Sequence, residues 1–362
     1  MRIAQIAPLT ESVPPKLYGG TERIVHYLTE ELVRQGHEVT LFASGDSKTS
    51  ARLVAPVHRA LRLDPTAHDP LPHAVLQLEQ VRRRAREFDV LHFHVDLLHF
   101  PVFRELRQRT VTTLHGRLDR PDLQTFYAEF DDMPLVAISR NQRSYLTGAH
   151  WIGTVHHGLP LDLLPLNEKP RGDYLAFIGR ISPEKRPDRA IAIARRAGMR
   201  LKIAAKVDAA DQEYFERWIE PLLASPHVEF IGEIGEDRKA EFLGNARALL
   251  FPVDWPEPFG LVMIEAMACG TPVIGWRCGS VSEVVEDGVT GFVVDSKIAA
   301  ARAVERIDEL DRCQVRRRFE ERFSAERMAR DYVRVYSALL GRVEARVAPR
   351  VKAAVGALVH AG

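Results

Sequence analysis

The chain has 362 residues, 46% of them hydrophobic, and its 50 lysines and arginines nearly balance its 49 aspartates and glutamates. This length exceeds what one hydrophobic core ordinarily serves and predicts two domains. The net charge of +1 gives no general reason to expect a nucleic-acid partner. The three cysteines, Cys269, Cys278 and Cys313, lack the paired spacing of a metal site and indicate reduced thiols.

The N-terminus, MRIAQIAPLTE, leads directly into a short apolar strand, so we expect no signal peptide. No apolar run reaches the ~20 residues that cross a bilayer. We therefore expect a cytoplasmic protein, with peripheral membrane contact left open.

Short apolar runs alternate with amphipathic stretches along nearly the whole chain. In the first half, five runs predict strands, near residues 2, 37, 88, 110 and 134, and TERIVHYLTEELVRQG predicts a helix that ends at Gly36. In the second half, six runs predict strands, near residues 174, 200, 227, 248, 271 and 291, separated by helical patterns such as PDRAIAIARRAG and DQEYFERWIEPLL. A last helical pattern, SAERMARDYVRVYSALL, precedes a tail from 342 whose order the sequence leaves open.

This alternation predicts two parallel-sheet, doubly wound α/β domains. The Pro- and charge-rich stretch 163–173 is the best linker candidate. In open sheets of this kind, ligands bind beyond the carboxyl ends of the strands. The arginine-rich run VRRRAREF, 81–88, is typical of a solvated helix face, with a site for anionic partners as the alternative.

The stretch YGGTER places Gly19 and Gly20 directly before a predicted helix, with Thr21 as its expected N-cap. A phosphate can approach closely where two glycines carry no side chains. A tight turn that needs glycine dihedrals explains the pair equally well.

The stretch FIGRISPEKRPD places Arg180 and Lys185 just after a predicted strand. Two cations at the carboxyl end of a parallel strand can clamp a diphosphate, although isolated residues of this kind are more often surface charges. Further along, EPFGLVMIEAMACGTPV sets Glu257 and Glu265 on either side of an apolar run. A carboxylate in such a segment needs a partner, which is either a structural cation or a ligand.

Glu257 and Glu265, together with GRISPEKRPD, YGGTER and TPVIGWRCGSVSEVVEDGVTGFVV, resemble the motifs of the retaining nucleotide-sugar glycosyltransferases of family four. The resemblance covers residues 1–340 and implies a GT-B fold, in which two Rossmann-like domains face each other across a cleft. It implies an acceptor-side domain over 1–165, a nucleotide-sugar domain over 172–325, and a C-terminal helix and tail over 326–362 that crosses back to the first domain.

The same resemblance implies roles for individual residues. Arg180 and Lys185 are expected to hold the diphosphate, and Glu257 the hydroxyls of the transferred sugar. Glu265 is expected to bind the ribose, and His115 to face the sugar. Further donor contacts are implied for the backbone of three residues, Phe259, Gly260 and Leu261, and for the glycines at 19 and 20.

Two positions depart from the family pattern. Arg186 follows Lys185 where relatives often carry glycine, so the local loop is expected to differ. The segment AAKVD replaces a glycine-rich turn, and its Lys206 is a further candidate for a phosphate or base contact.

The histidines raise the alternative of a metal site: His92, His94 and His99 lie close together in sequence, and His156 and His157 are adjacent. No cysteine or acidic partner is suitably placed, and Asp131 and Asp132 lack the aspartate-x-aspartate spacing of metal-dependent transferases. We therefore expect neither a metal nor another cofactor.

The predicted activity is transfer of a hexose from a nucleoside diphosphate sugar, UDP-glucose first, to an unidentified hydroxyl acceptor with retained configuration. The sequence also allows GDP-mannose or ADP-glucose as donor. A dinucleotide-dependent oxidoreductase is disfavoured because G-x-G-x-x-G is missing after the first strand, and a phosphorylase needs a cofactor lysine and a longer chain. A non-catalytic nucleotide-sugar-binding protein remains the alternative.

Overall fold

A computed structural model of the chain describes residues 1–16 and 19–341. The tail from 342, and the Tyr18 end of the glycine loop, lie outside the described residues. Contacts divide the chain into two units. Unit one comprises Met1–Ile138, Leu146–Val155 and the chain from Met328, and unit two comprises Ser139–Tyr145 and His156–Arg327. The stretch 163–173 lies within unit two.

Unit one is built on a seven-stranded parallel sheet with the order β3-β2-β1-β4-β5-β6-β7. Its strands are β1 Arg2–Ile6, β2 Glu38–Phe42, β3 Arg52–Val54, β4 Val90–Phe93, β5 Thr110–Thr113, β6 Leu135–Ala137 and β7 Trp151–Thr154. All five strands expected in this half are confirmed. The two short edge strands, β3 and β7, were not expected, because neither contains a buried apolar run.

Helices cover both faces of this sheet, as a doubly wound fold requires. On one face Leu78 and Val81 of a long helix pack with Phe42 and Leu91, and on the other Val25 packs with Leu41. The helices of this half of the chain are α1 Gly20–Arg34, α2 Pro70–Arg84, α3 Phe100–Phe103, α4 Pro121–Glu129 and α5 Arg140–Ser144, of which α5 belongs to unit two.

The start of α1 corrects one expectation. Its N-cap is Gly19 and its first residue is Gly20, so Thr21 lies inside the helix and does not cap it. The end agrees with the sequence, because α1 stops at Arg34 and Gly36 has a φ of 82°.

The last described helix, over 325–341, returns to unit one. Tyr332 and Tyr336 are fully buried, and the Tyr336 hydroxyl lies 3.2 Å from Nε2 of Gln5 and 2.7 Å from Nδ1 of His92. The helix over 325–341 is thus part of the same core as the first strand, which agrees with a GT-B fold.

Unit two has a six-stranded parallel sheet with the order β10-β9-β8-β11-β12-β13. All six strands expected in this half are confirmed: β8 Tyr174–Arg180, β9 Arg200–Lys206, β10 Val228–Gly232, β11 Ala248–Phe251, β12 Val273–Trp276 and β13 Gly291–Val294. Its further helices are α6 Pro187–Arg196, α7 Gln212–Tyr214, α8 Glu220–Leu223, α9 Glu236–Gly244, α10 Leu261–Ala268, α11 Val281–Val284, α12 Lys297–Glu305 and α13 Arg312–Phe323. Leu175 and Phe177 of β8 belong to one core cluster with Ile191 of α6 and Ala300 of α12.

The arginine-rich run at the end of α2 forms local ion pairs. Arg82 and Arg83 lie 2.6 and 2.7 Å from the Glu79 carboxylate, and Arg84 lies 2.8 Å from Glu87. These contacts support the interpretation as a solvated helix face. Within the described ranges, no helix has the length and apolar character needed to cross a bilayer.

A buried histidine makes the stability of unit one depend on pH. His99 is fully buried, bonds Thr112 Oγ1 at 2.7 Å and stacks on Phe93, and burial lowers its pKa to about 3. The unfolded chain takes up a proton near pH 6.5, whereas the folded chain stays neutral there. Stability therefore falls as the pH drops below that value, by about 2 kcal/mol for this group between pH 7 and pH 5.

Replacing His99 by glutamine is expected to remove that part of the acid destabilisation. The loss of stability between pH 7 and pH 5 is measured by native-state hydrogen exchange at peptides covering β4 and β5. The matched control is His68→Gln at an exposed position of the same unit, which should leave the slope as it is. An unchanged slope in the His99 variant would contradict the prediction.

Candidate functional site

Two predicted cations lie side by side at the carboxyl edge of the sheet in unit two. Arg180 is the last residue of β8, Lys206 is the last residue of β9, and the two are direct partners in the parallel register. This is the edge at which ligands bind in open parallel sheets. The sequence predicts each residue at the end of a strand, and the register of β8 and β9 brings the two side by side.

Carboxylates surround these two cations. The Arg180 guanidinium contacts Glu184, lies 3.5 Å from Asp211 and lies 3.8 Å from Asp208. Lys206 Nζ lies 2.7 Å from Asp208. Burial raises the pKa of Asp211, and the Arg180 charge opposes that shift. No motif in the sequence predicts this acidic group, whose members come from the loops after β8 and β9.

Lys185 and Glu257 form an ion pair across 72 residues of sequence. The side chains are 19% and 11% exposed. Trp255 completes the arrangement, since its Nε1 donates to Glu257 Oε2 at 2.9 Å and its ring lies 5.0 Å from Lys185 Nζ. The partner that the buried glutamate needs is therefore a lysine, which is itself one of the predicted diphosphate ligands.

The loop that carries Glu257 is held by the turn after β12. The backbone N–H of Ser280 donates to the Glu257 carbonyl at 3.0 Å, and its hydroxyl donates to the Phe259 carbonyl at 2.8 Å. Gly279 has a φ of 58°, and a Cβ at this position would lie 2.3 Å from the Glu257 backbone nitrogen. The segment GWRCGSV is part of the stretch that resembles the family pattern, but the sequence predicts no positioning role for Gly279 and Ser280.

The backbone after Glu257 turns into helix α10. Gly260, with a φ of 78°, is the N-cap, and the helix begins at Leu261. Phe259 is 2% exposed, with its ring centroid 4.9 Å from that of His157, so its side chain belongs to the core and only its backbone can serve a ligand. The free N–H groups and positive end of a helix N-terminus suit a negatively charged ligand.

Glu265 lies within α10 and is 4% exposed. It follows the first residue of the helix, Leu261, by one turn. Its Oε1 is 2.7 Å from Nζ of Lys239 in α9, which also lies 3.2 Å from Glu236. Lys239 was not anticipated, because nothing in the sequence of α9 distinguishes it from a surface lysine.

Arg186 explains how this chain departs from the family pattern. It has φ 54° and ψ 52°, a left-handed conformation that glycine adopts without strain. Its guanidinium lies 2.6 Å from Asp254 and 2.8 Å from Asp188. The hydrogen bond to Asp188 raises the pKa of Arg186 and burial lowers it, and the net effect is a raised pKa. The loop has the backbone shape that glycine favours, and the arginine at this position forms two ion pairs.

The other predicted site residues, Gly19, Gly20 and His115, belong to unit one. A Cβ at Gly19 would lie 2.9 Å from the Pro15 side chain and 3.2 Å from Glu22 Oε2. Burial raises the pKa of Glu22, and the neighbouring Glu11 adds to the shift. Close packing is thus a sufficient reason for glycine at position 19.

The clustered histidines are engaged by protein groups. His92 Nε2 lies 2.8 Å from Thr113 Oγ1, and His94 lies 2.9 Å from His115 and 2.7 Å from Gln5. Alternation along β4 does put the His92 and His94 rings together, with centroids 4.1 Å apart. In the part of the chain that the structure describes, no group of three or more His, Cys, Asp or Glu side chains is placed to hold a metal ion.

The two parallel-sheet units and the returning C-terminal helix define an α/β protein of the GT-B class. Two family models match the chain in succession, Glycosyltransferase Family 4 over residues 18–147 and Glycosyl transferases group 1 over residues 165–326. The chain belongs to the family-4-like glycosyltransferases.

Individual relatives agree with this assignment. An uncharacterised glycosyltransferase of Methanocaldococcus jannaschii is 24% identical over 81% of this chain and 85% of its own length. The D-inositol 3-phosphate glycosyltransferase of Mycolicibacterium smegmatis is 31% identical over 49% of this chain, a match that spans 43% of that enzyme. The Anabaena protein HepE, solved with UDP and glucose, superposes with a TM-score of 0.71 at 19% identity, covering 93% of this chain and 100% of that one, which shows likeness of fold.

Proposed function

We propose that the protein transfers a hexose from a nucleoside diphosphate sugar to a hydroxyl acceptor, with retained anomeric configuration and with UDP-glucose as the first donor to test. The observation that carries the proposal is the Lys185–Glu257 pair at the carboxyl edge of the unit-two sheet. At this edge the cation can bind the diphosphate of such a donor, and the adjacent carboxylate can bind its sugar. The UDP and glucose in the related Anabaena structure support the choice of donor.

The diphosphate would bind Arg180 and Lys185, with Lys206 as a further contact. In this structure each of these cations is paired with a carboxylate, so diphosphate oxygens would compete with those carboxylates. During transfer the bond between the anomeric carbon and the phosphate oxygen breaks, and negative charge grows on the departing diphosphate. The cations act most strongly when that charge is largest, which lowers the barrier.

The two glutamates would hold the rest of the donor. Once Lys185 bonds the diphosphate, the Glu257 carboxylate can accept hydrogen bonds from sugar hydroxyls while Trp255 keeps it oriented. Glu265 would accept from the ribose hydroxyls, with Lys239 fixing its position. Backbone N–H groups at the start of α10 would supply additional donors.

The proposed substitution occurs on one face of the sugar. The acceptor oxygen bonds to the anomeric carbon on the face that the phosphate leaves, and the departing phosphate oxygen takes the acceptor proton. No side-chain nucleophile is assigned, and the protein cations neutralise the leaving group without a metal. His115 would position the sugar, and unit one would take the acceptor.

Titration calorimetry with UDP, GDP and ADP, followed by the matching sugar nucleotides, tests this function. Binding of one nucleoside diphosphate, and slow release of that diphosphate from its sugar nucleotide through background hydrolysis, is the expected result. Glu265→Gln should weaken binding of the nucleotide, whereas Glu236→Gln, the neighbouring acid on Lys239, is the matched control.

Two outcomes would contradict the proposal. A folded protein that binds none of the three nucleotides lacks the donor site altogether. A protein that binds a sugar nucleotide but neither hydrolyses it nor transfers its sugar to any hydroxyl compound in an acceptor panel is the non-catalytic binding protein. Repeating the assay with EDTA tests metal independence, which predicts an unchanged rate.

A further inference from the structure

Two loops leave neighbouring strands at the carboxyl edge of the unit-two sheet, and each carries one member of the Lys185–Glu257 pair. The β8 loop, residues 181–186, runs from β8 to α6, and the β11 loop, residues 252–260, runs from β11 to α10. Strands β8 and β11 are direct partners in the sheet. A ligand that meets both Lys185 and Glu257 therefore depends on how these two loops are held relative to each other.

The ion pair between Lys185 and Glu257 joins the loops only while the site is without a donor. In the proposed function Lys185 exchanges the Glu257 carboxylate for the diphosphate, so this contact opens when the donor binds. A contact that holds the two loops in register during the reaction must therefore come from residues that the donor does not use.

Asp254 provides such contacts from the β11 loop. Its backbone N–H donates to the Glu184 carbonyl of the β8 loop at 2.8 Å, and its carboxylate accepts from Arg186 Nη1 at 2.6 Å. Arg186 directly follows Lys185, and Asp254 precedes Glu257 by three residues. We call these two bonds of Asp254 the loop clamp, and they join the loops beside the ion pair that the donor opens.

The side chain of Arg186 is oriented by the helix that follows it. Its Nε and Nη2 donate to the two carboxylate oxygens of Asp188, in the first turn of α6, at 2.9 and 2.8 Å. This bidentate contact fixes the plane of the guanidinium and directs the remaining nitrogen, Nη1, to Asp254. The Arg186 carbonyl is also fixed, because it accepts from the N–H groups of Arg189 and Ala190 at 3.0 and 3.2 Å.

Arg189 ties the β11 loop to the same helix. Its Nη2 lies 3.1 Å from the Asp254 carboxylate, and its Nη1 donates to the Pro252 carbonyl at 3.1 Å. The guanidinium is buried and lies 3.9 Å from the ring centroid of Trp276. The first residues of the β11 loop are thus held against α6, which also fixes Arg186.

We propose that Arg186, acting through Asp254, is a positioning residue that keeps Glu257 in register with Lys185 while the donor is bound. The inference rests on the proposed function, in which one ligand meets both loops. The side chains of Arg186 and Asp254 are 30% and 48% exposed, and ion pairs at such positions contribute little to the free energy of unfolding. The loop clamp therefore acts on the position of the β11 loop more than on the stability of unit two.

Replacing Arg186 by glycine removes the side chain of the loop clamp with little disturbance of the backbone. Glycine adopts the φ of 54° at this position without strain, so the melting temperature should stay within about 4 °C of the wild type. Asp254→Ala removes the same contact from the other loop, and Asp254→Asn, which keeps an acceptor for Arg189, is a second variant in case alanine prevents folding. The double variant Arg186→Gly with Asp254→Ala should lose little more activity than either single variant.

Two ligands separate a positioning role from general damage to the site. UDP lacks the sugar and does not meet Glu257 in the proposed function, whereas UDP-glucose does; if the wild type binds another base, the corresponding pair is used. In Arg186→Gly the Kd of UDP should stay within about twofold of the wild type, while the Kd of UDP-glucose should rise about tenfold, the equivalent of one hydrogen bond. In the transferase assay kcat should fall about 10²-fold, the loss expected for a displacement near 1 Å.

Hydrogen exchange reads the loop clamp without any ligand. The Asp254 amide is bonded to the β8 loop, so amides of the β11 loop should exchange faster in Arg186→Gly than in the wild type. Arg247→Ala is the matched control, because Arg247 pairs with Asp308 across 61 residues, is 35% exposed and lies outside both loops. This control should keep the wild-type exchange in the β11 loop, the wild-type ratio of the two Kd values and the wild-type kcat.

The proposal is overturned if folded Arg186→Gly shows wild-type exchange in the β11 loop, or if it keeps the wild-type ratio of Kd values and kcat. An equal rise in the Kd of UDP and of UDP-glucose also overturns it, because a change in loop register acts on the sugar. Failure of the proposed function looks different: the wild type then binds neither member of any nucleotide pair, while hydrogen exchange still shows whether Arg186 holds the β11 loop.

Discussion

Replacing Lys185 by methionine is expected to lower kcat/KM for the nucleotide sugar by about 10³-fold, the scale seen when a group that stabilises transition-state charge is removed. Methionine keeps much of the side-chain length but loses the ammonium that would meet the departing diphosphate. The variant also leaves the carboxylate of Glu257, whose side chain is 11% exposed, without its cation. We therefore expect a lower melting temperature as well as the loss in rate.

A double variant distinguishes the two effects. Adding Glu257→Gln to Lys185→Met removes the uncompensated charge, so stability should return towards the wild-type value while activity stays low. Lys202→Met is the matched control, because Lys202 lies on the neighbouring strand β9 and pairs with Glu229 at 3.2 Å. Recovery of turnover together with stability in the double variant would show that Lys185 is structural.

Replacing Gly279 by alanine is expected to lower kcat/KM by about 10²-fold, the scale of a displacement near 1 Å in a reacting group. The new Cβ would lie 2.3 Å from the nitrogen and 2.6 Å from the oxygen of the Glu257 backbone. Neither atom can move without shifting the Glu257 loop. The left-handed φ of 58° adds strain of about 1–3 kcal/mol to the folded state.

Gly288→Ala isolates the strain from the displacement. Gly288 also has a positive φ, 74°, but a Cβ there meets nothing within 4 Å. This control should lose a comparable amount of stability and keep full activity. Thermal unfolding and steady-state kinetics on both variants give the comparison. Equal activity of the two folded variants would mean that the Glu257 loop does not need its present position.

The sequence predicted much of the candidate site because that part depends on local pattern. Arg180 follows a recognisable buried strand, and an acid inside an apolar run, such as Glu257 or Glu265, needs a partner wherever the chain folds. The sequence does not indicate which residues those partners are. Lys239 lies 26 residues before Glu265, and its approach depends on how α9 packs beside α10. The sequence does not predict the left-handed conformation of Arg186 either, because arginine rarely adopts positive φ and no local pattern indicates that conformation.

By itself the sequence determined two parallel α/β sheets, eleven of their strands, and the residues that carry charge at the strand ends. These features follow from the alternation of buried runs and amphipathic helices, which any short window of the chain displays. Only the tertiary structure decided that Glu257 pairs with Lys185, that Gly279 supports its loop, and that Gln5 and Tyr336 meet in the core of unit one. Each of those contacts joins segments that are distant in sequence, and their distances are set by strand order and register, which local periodicity does not encode.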